Sequence, residues 1–192
     1  MAKGVDIAEV VLAARRVFAE EGYAGATLDA IATAAGLSRV TLHRHGLSKE
    51  RLLGELAEVA TNDYRDAMWP VLTGEGTGAQ RLSRGLKALC DSAEKNLAVL
   101  MAVQGHTDAV FHETGAQDAL TRSIFTEPLE RLLRDGDADG SLRSVEPRET
   151  ATVLFNLVGW TYLHLRTGHR WSPERARDAV VDLALNGLLA QT

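Results

Sequence analysis

Cysteine is nearly absent: Cys90 is the only one in 192 residues. An intramolecular disulfide and a cysteine-built metal cluster are therefore excluded, and a reducing compartment fits. Aromatic residues make up 5%, yet the apolar share of 45% is enough for a core and unlike that of a disordered chain. No eighteen apolar residues follow one another, and the opening "MAKGVDIAEVV" has no apolar run of signal length. A soluble cytoplasmic protein without membrane spans is expected. Positive charge is in deficit, with a net charge of -5, so any binding to nucleic-acid phosphate must be local. Also missing are a Gly-x-Ser-x-Gly turn, a phosphate-binding glycine loop and the His-Glu-x-x-His spacing of a metal hydrolase. Cys90 lies within an amphipathic stretch, where a small buried filler is its ordinary meaning. Neither an enzyme nor a cofactor is indicated.

Strand-like alternation and internal repeats are lacking too, whereas alanine, leucine and arginine, all good helix formers, abound. Ile7, Val10, Val11, Ala14 and Phe18 recur at helical spacing, and Gly22 closes that segment. In "TLDAIATAAG", Thr27 is suited to cap a second helix, Asp29 complements its dipole, and Gly36 fits the left-handed residue that ends it. Ser38 then caps a third helix, with Leu37 and Leu42 spaced as a hydrophobic staple. Two short helices around a glycine turn make a helix-turn-helix. Ser48 caps a fourth helix, expected to stop at Trp69 before Pro70. After the loop "TGEGTG", Leu82, Leu86, Leu89, Ala93, Leu97 and Leu100 predict one long fifth helix. Gly105 to Gly115 reads as irregular or a short helix, and 117–134 as a helix kinked or restarted at Pro128. Final helices are expected over 148–167 and 173–190.

Between Gly36 and Arg51 the charge balance reverses. Arg39, Arg44, Lys49 and Arg51 face the single acid Glu50, and Ser38, Thr41, His43 and His45 add further donors. Hydroxyl, imidazole and cationic side chains are what phosphate oxygens and base edges require. The stretch "TLDAIATAAGLSRVTLHRHGLSKERLL" resembles the N-terminal DNA-binding domain of the TetR family of transcriptional regulators. It matches the family pattern at Thr27, Ile31, Ala32, Ala35, Gly36, Ser38, Thr41, Leu42, His45, Lys49 and Glu50. The match covers roughly the first 55 residues. Beyond them the likeness lies in the helical layout and the doubly apolar terminal pair. Three positions depart from the pattern: His43 replaces a usual tyrosine, Gly46 a usual core phenylalanine, and Val40 a usual small residue. The histidine still donates to phosphate and adds a source of pH dependence; Gly46 predicts a looser end to the third helix, ordered on DNA.

The resemblance implies an all-α protein: a helix-turn-helix domain over 1–46, then a helical ligand-sensing and dimerisation domain over 47–192 whose connecting helix spans 47–69. Arg39, Val40, Thr41 and Arg44 would face the major groove, with Arg39 suited to a guanine edge. Thr27, Ser38, His43, His45 and Lys49 would hold phosphates. The function implied is that of a repressor, bound as a dimer to a palindromic double-stranded operator and released by a small-molecule effector. In "ATVLFNLVGWTYLHL" and "AVVDLALNGLLA" apolar residues go most of the way round, which calls for two partners. A second copy of the chain is one of them, with Gly159 and Gly187 permitting close approach. Tyr64, Met68, Met101, Phe111, His112, Phe125 and Trp160, chosen by size and position, are effector-pocket candidates. With few ionisable groups among them, the expected effector is mostly apolar.

One motif competes. "DGDADGSLRSVE" places Asp135, Asp137, Asp139, Gly140 and Glu146 at the ligand and turn positions of an EF-hand calcium loop. Arg143 stands where an oxygen ligand belongs, and Pro147 directly follows the last ligand, so Glu146 is better placed to cap a new helix. The alternative function is thus a helical dimer with a calcium-binding or structural role and a degenerate DNA-binding module. The histidine pairs are not spaced to share an ion: His43 and His45 lie on different faces, His106 and His112 in the irregular region, and His164 and His169 across a helix end. No metal site is assigned.

Overall fold

A computed structural model describes residues 5–104 and 124–186. Among these residues there are helices and no strand: α1 (Ile7–Gly25), α2 (Leu28–Ala34), α3 (Arg39–Arg44), α4 (Lys49–Thr73), α5 (Gly78–Lys95), α6 (Leu97–Gln104), α7 (Glu127–Ala138), α8 (Pro147–Thr167) and α9 (Pro173–Asn186). They form two compact units. Among the described residues the first takes 5–60 and 96–104, the second 61–95 and 124–186.

In the first unit, the Asp6 carboxylate caps α1 by accepting from the Ala8 N–H at 2.9 Å. Val10, Ala13, Ala14, Val17 and Phe18 are buried, the three-and-four spacing of a single apolar stripe. Each large aliphatic side chain so buried contributes about 1.5–3 kcal/mol of transfer free energy. Gly22, at φ +69°, breaks the helical geometry, and a short turn follows to Gly25. The stripe packs against α2 and α6. The fifth helix expected to reach Leu100 is in fact two. Asn96 ends α5, and its carbonyl accepts the first bond of α6 from Leu100 N–H. Asparagine competes with the helical backbone and favours this capping position, so it overrides an apolar spacing that runs on through Leu97 and Leu100.

A second correction concerns Pro70. α4 does not stop before it but runs three residues further, to Thr73. Pro70 supplies no N–H to the carbonyl four residues back, and the helix nonetheless continues past it. The Thr73 hydroxyl donates to the Trp69 carbonyl at 2.9 Å. A pair of glycines sets the second unit. A Cβ on Gly78 at the start of α5 would sit 2.2 Å from the backbone nitrogen of Gly136 in α7, and one on Gly136 would meet Leu142 Cδ1 at 2.5 Å. Around that crossing α5, α7, α8 and α9 pack together. Their core holds Leu82, Leu86, Leu129, Leu132, Leu133, Val158 and Tyr162. Glu94 on α5 accepts from Tyr162 at 2.9 Å and from Arg166 Nε and Nη2 at 2.7 and 2.6 Å, tying α5 to α8. α7 starts afresh with Pro128 in its first turn, while 117–123 and 105–115 lie outside the described residues, as does 187–190.

Candidate nucleic-acid interface

α2 and α3 end in the same way. Gly36, at φ +67°, donates to Thr33 O at 3.0 Å while Leu37 N–H donates to Ala32 O at 2.9 Å. Gly46, at φ +65°, donates to His43 O at 3.0 Å while Leu47 N–H donates to Leu42 O at 3.0 Å. These are two Schellman motifs, which require a left-handed residue that glycine adopts without a Cβ penalty. After each comes a serine cap: Ser38 Oγ accepts from Thr41 N–H at 3.1 Å, Ser48 Oγ from Arg51 N–H at 3.2 Å. The triplet Gly-Leu-Ser is thus repeated, at 36–38 and 46–48, and each copy ends one helix and starts the next. The end of α3 is not loose, contrary to the expectation from Gly46. A glycine there is what the corner needs, and Leu47 is buried beneath it at 2% exposure.

This fixes α3 with Leu42 fully inside and most of its candidates outside. Thr27, Ser38, Arg39, Val40, His43, Arg44 and His45 are exposed, and Thr41 and Lys49 are half-buried. The Thr27 hydroxyl caps α2 by accepting from Ala30 N–H at 3.1 Å. Ser38 and Thr41 share a hydroxyl–hydroxyl bond of 2.8 Å. Arg39 leans back to pair with Asp29 of α2 at 3.1 Å. Among the described residues Arg44, His43 and His45 form no side-chain hydrogen bond or ion pair. Lys49 is different. Its ammonium donates to the carbonyls of Tyr23 and Ala26 at 2.8 and 3.1 Å and stands 4.4 Å over the Tyr23 ring. Two of its three donors hold α4 to the end of α1.

Residues 10–56 match the model of bacterial regulatory proteins of the tetR family, and 75–188 match that of the tetracyclin repressor-like C-terminal domain. The chain belongs to the TetR family. As such it is a DNA-binding transcriptional regulator and not an enzyme. Its fold is similar to that of PfmR, a TetR regulator from Thermus thermophilus, at a TM-score of 0.74 and 23% identity, covering 98% of this chain and 100% of that one. A TetR/AcrR regulator from Thermobifida fusca is similar at 0.73 and 22%, with 94% and 96% covered. AibR, in complex with isovaleryl coenzyme A and operator DNA, is similar at 0.68 and 20%, with 91% and 95% covered. No curated protein sequence matches the chain.

In the C-terminal part of this TetR protein, some of the effector candidates come together. The Tyr64 and Phe125 rings lie 5.5 Å apart, and Tyr64 OH donates to the Phe125 carbonyl at 3.0 Å. Burial pushes the Tyr64 phenol up from its ordinary value. Phe155, which the sequence reading passed over, completes the cluster at 5.5 Å from Phe125 and 6.2 Å from Tyr64. Its place in the apolar run "ATVLFNLVGW" was the available signal. Met68 is buried, while Trp160 Nε1 donates to Asn156 at 3.2 Å on its own helix. Met101 falls in the first unit, on α6, at 38% exposure; Phe111 and His112 lie outside the described residues.

The acidic loop has other employment. Asp139 accepts from Gly78 N–H at 2.6 Å and from Ser141 N–H at 3.0 Å. The Ser141 hydroxyl in turn accepts from Ala79 N–H at 3.0 Å. Asp135 accepts from Arg81 at 2.8 Å and Asp137 from the Ser144 hydroxyl at 3.3 Å. Glu146 caps α8 by accepting from Glu149 N–H at 2.5 Å. The carboxylates of the calcium-loop pattern thus close the start of α5 and of α8. Among the described residues no helix is long and apolar enough to cross a membrane.

Proposed function

We propose that this TetR-family chain is a cytoplasmic repressor that binds a palindromic operator as a dimer and leaves it when a small, mostly apolar effector binds. The observation that carries the reading is the short α3. Its ends are fixed by two glycine corners, its apolar Leu42 is inside, and Arg44, His43 and His45 are left outside with no partner among the described residues. In this reading residues 1–46 form the DNA-binding domain, with Arg39, Val40, Thr41 and Arg44 at the groove and Thr27, Ser38, His43, His45 and Lys49 at phosphates. Residues 47–192 sense the effector and dimerise. Two copies of α3 reach successive major grooves when held about 34–36 Å apart. Dimerisation through α8 and α9 is supported by Val153, Leu157 and Leu183, which are 60%, 43% and 71% exposed, and by the open space beside Gly159.

The ring cluster of Tyr64, Phe125 and Phe155 supports a mostly apolar effector. α4 continues unbroken from Lys49 to Thr73, so a shift at Tyr64 has one continuous helix to act along toward Lys49. The effector must prefer the DNA-free arrangement by the coupling energy, typically about 1–3 kcal/mol. The test is titration of the selected operator over a salt series. Steep weakening with salt is expected, and Arg44→Ala should cost about 1–3 kcal/mol of operator binding and relax the preference at one base. A flat slope, or an operator affinity unaltered by Arg44→Ala, defeats the reading.

A further inference from the structure

α3 has two aliphatic residues with opposite fates: Leu42 is fully buried and Val40 is 68% exposed. Val40 contributes nothing to the core, and as a β-branched residue it is a mediocre helix former. Its surroundings are cationic. Arg39 precedes it, and His43 and Arg44, three and four residues on, share its face. An apolar protein partner needs a contiguous apolar patch, and here a single isopropyl group is ringed by donors. A free phosphate would make no use of it. What fits is a polyanion that carries an isolated methyl group among its charges, and the major groove of a DNA duplex offers one: the 5-methyl of thymine. The neighbouring Arg39 guanidinium pairs with Asp29 of α2 at 3.1 Å.

We propose that Val40 reads a thymine through its 5-methyl group and so determines one base of each operator half-site. This rests on the regulator reading and names a specificity residue within it. The experiment first selects the operator from random duplexes with the full-length protein. Each thymine is then replaced singly by deoxyuridine, which pairs identically but lacks the methyl. Binding by the natural chain and by Val40→Ala is compared on every duplex. Val40 is exposed, so the substitution leaves the fold intact, and circular dichroism with a thermal melt verifies this. At one thymine per half-site the deoxyuridine duplex should bind the natural chain roughly fourfold more weakly, as expected for one methyl returned to water. For Val40→Ala that penalty should vanish. A selected operator in which no thymine shows a Val40-dependent penalty overturns this inference and leaves the regulator reading standing. Failure to select any sequence overturns both.

Discussion

At the scale of single residues, Gly46 stands where the family pattern has an aromatic ring, and its φ of +65° shows what it does instead. A Cβ at that position would meet only the movable end of Arg51, at 3.4 Å. The cost of Gly46→Ala is therefore conformational, about 1–2 kcal/mol for a left-handed L-residue, and a lower urea midpoint at unchanged m-value should report it. Asp29 makes the opposite kind of contribution. Its pair with Arg39 is exposed on both sides and worth only about 0–1 kcal/mol to stability. Asp29→Asn should hardly alter melting but should tighten DNA binding, because it removes a like charge beside the phosphates and frees a guanidinium. A steeper salt dependence in filter or fluorescence titrations checks this; an unchanged slope would mean that Arg39 stays off the backbone.

At the scale of elements, contacts at the two ends of α5 make stability depend on acid. Glu94 is held below its ordinary value of 4.5 chiefly by the Arg166 hydrogen bonds, with Tyr162 adding to them. Asp139 is held below 3.8 by hydrogen bonds from Ser141 and then Gly78. Both shifts are depressions, so each carboxylate stabilises the fold above its unfolded value and ceases to do so as pH falls through that value toward the folded one. Denaturation midpoints should be level at neutral pH and drop below about pH 4.5, and the combined Glu94→Gln and Asp139→Asn variant should drop less over the same range. The glycine crossing is a separate test of packing. Gly136→Ala meets the buried Leu142 from Cδ1 at 2.5 Å back to Cβ at 3.1 Å, whereas Gly78→Ala meets backbone at 2.2 Å. Overpacking typically costs about 1–3 kcal/mol, so Gly78→Ala should reach or exceed the upper end and Gly136→Ala fall below it, in calorimetric melts of the two variants.

At the scale of the whole molecule, oligomerisation should follow the apolar residues that α8 and α9 leave outside. Leu157→Asp and Leu183→Asp together should give a monomer by sedimentation, abolish the dependence of Tm on protein concentration, and weaken operator binding. A variant that remains dimeric would move the interface elsewhere. Much of this organisation was legible in the sequence because the signals are local. Caps at Thr27, Ser38 and Ser48, the left-handed glycine at 36, and the stripe of α1 are written within a few residues of where they act. What escaped is set by partners distant in the chain. The Lys49 ammonium is claimed by carbonyls at 23 and 26, the acidic loop by amides at 78 and 79, and Phe155 meets Tyr64 from far along the chain. No spacing rule sees such pairs. The break at Asn96 was local and still missed, because the apolar period continued through it.

The twin Gly-Leu-Ser corners restrict how this reading head can change. α3 is pinned at both ends by turns that tolerate one handedness, and its inward side is indexed by Leu42. Adding or deleting one residue between Val40 and Leu42 would rotate Val40 by about 100° relative to that index, and one between Leu42 and Arg44 would do the same to Arg44; either change breaks up the face the two share. Retargeting such a device to another operator is consequently a matter of exchanging side chains at fixed stations, never of altering the length of the rod.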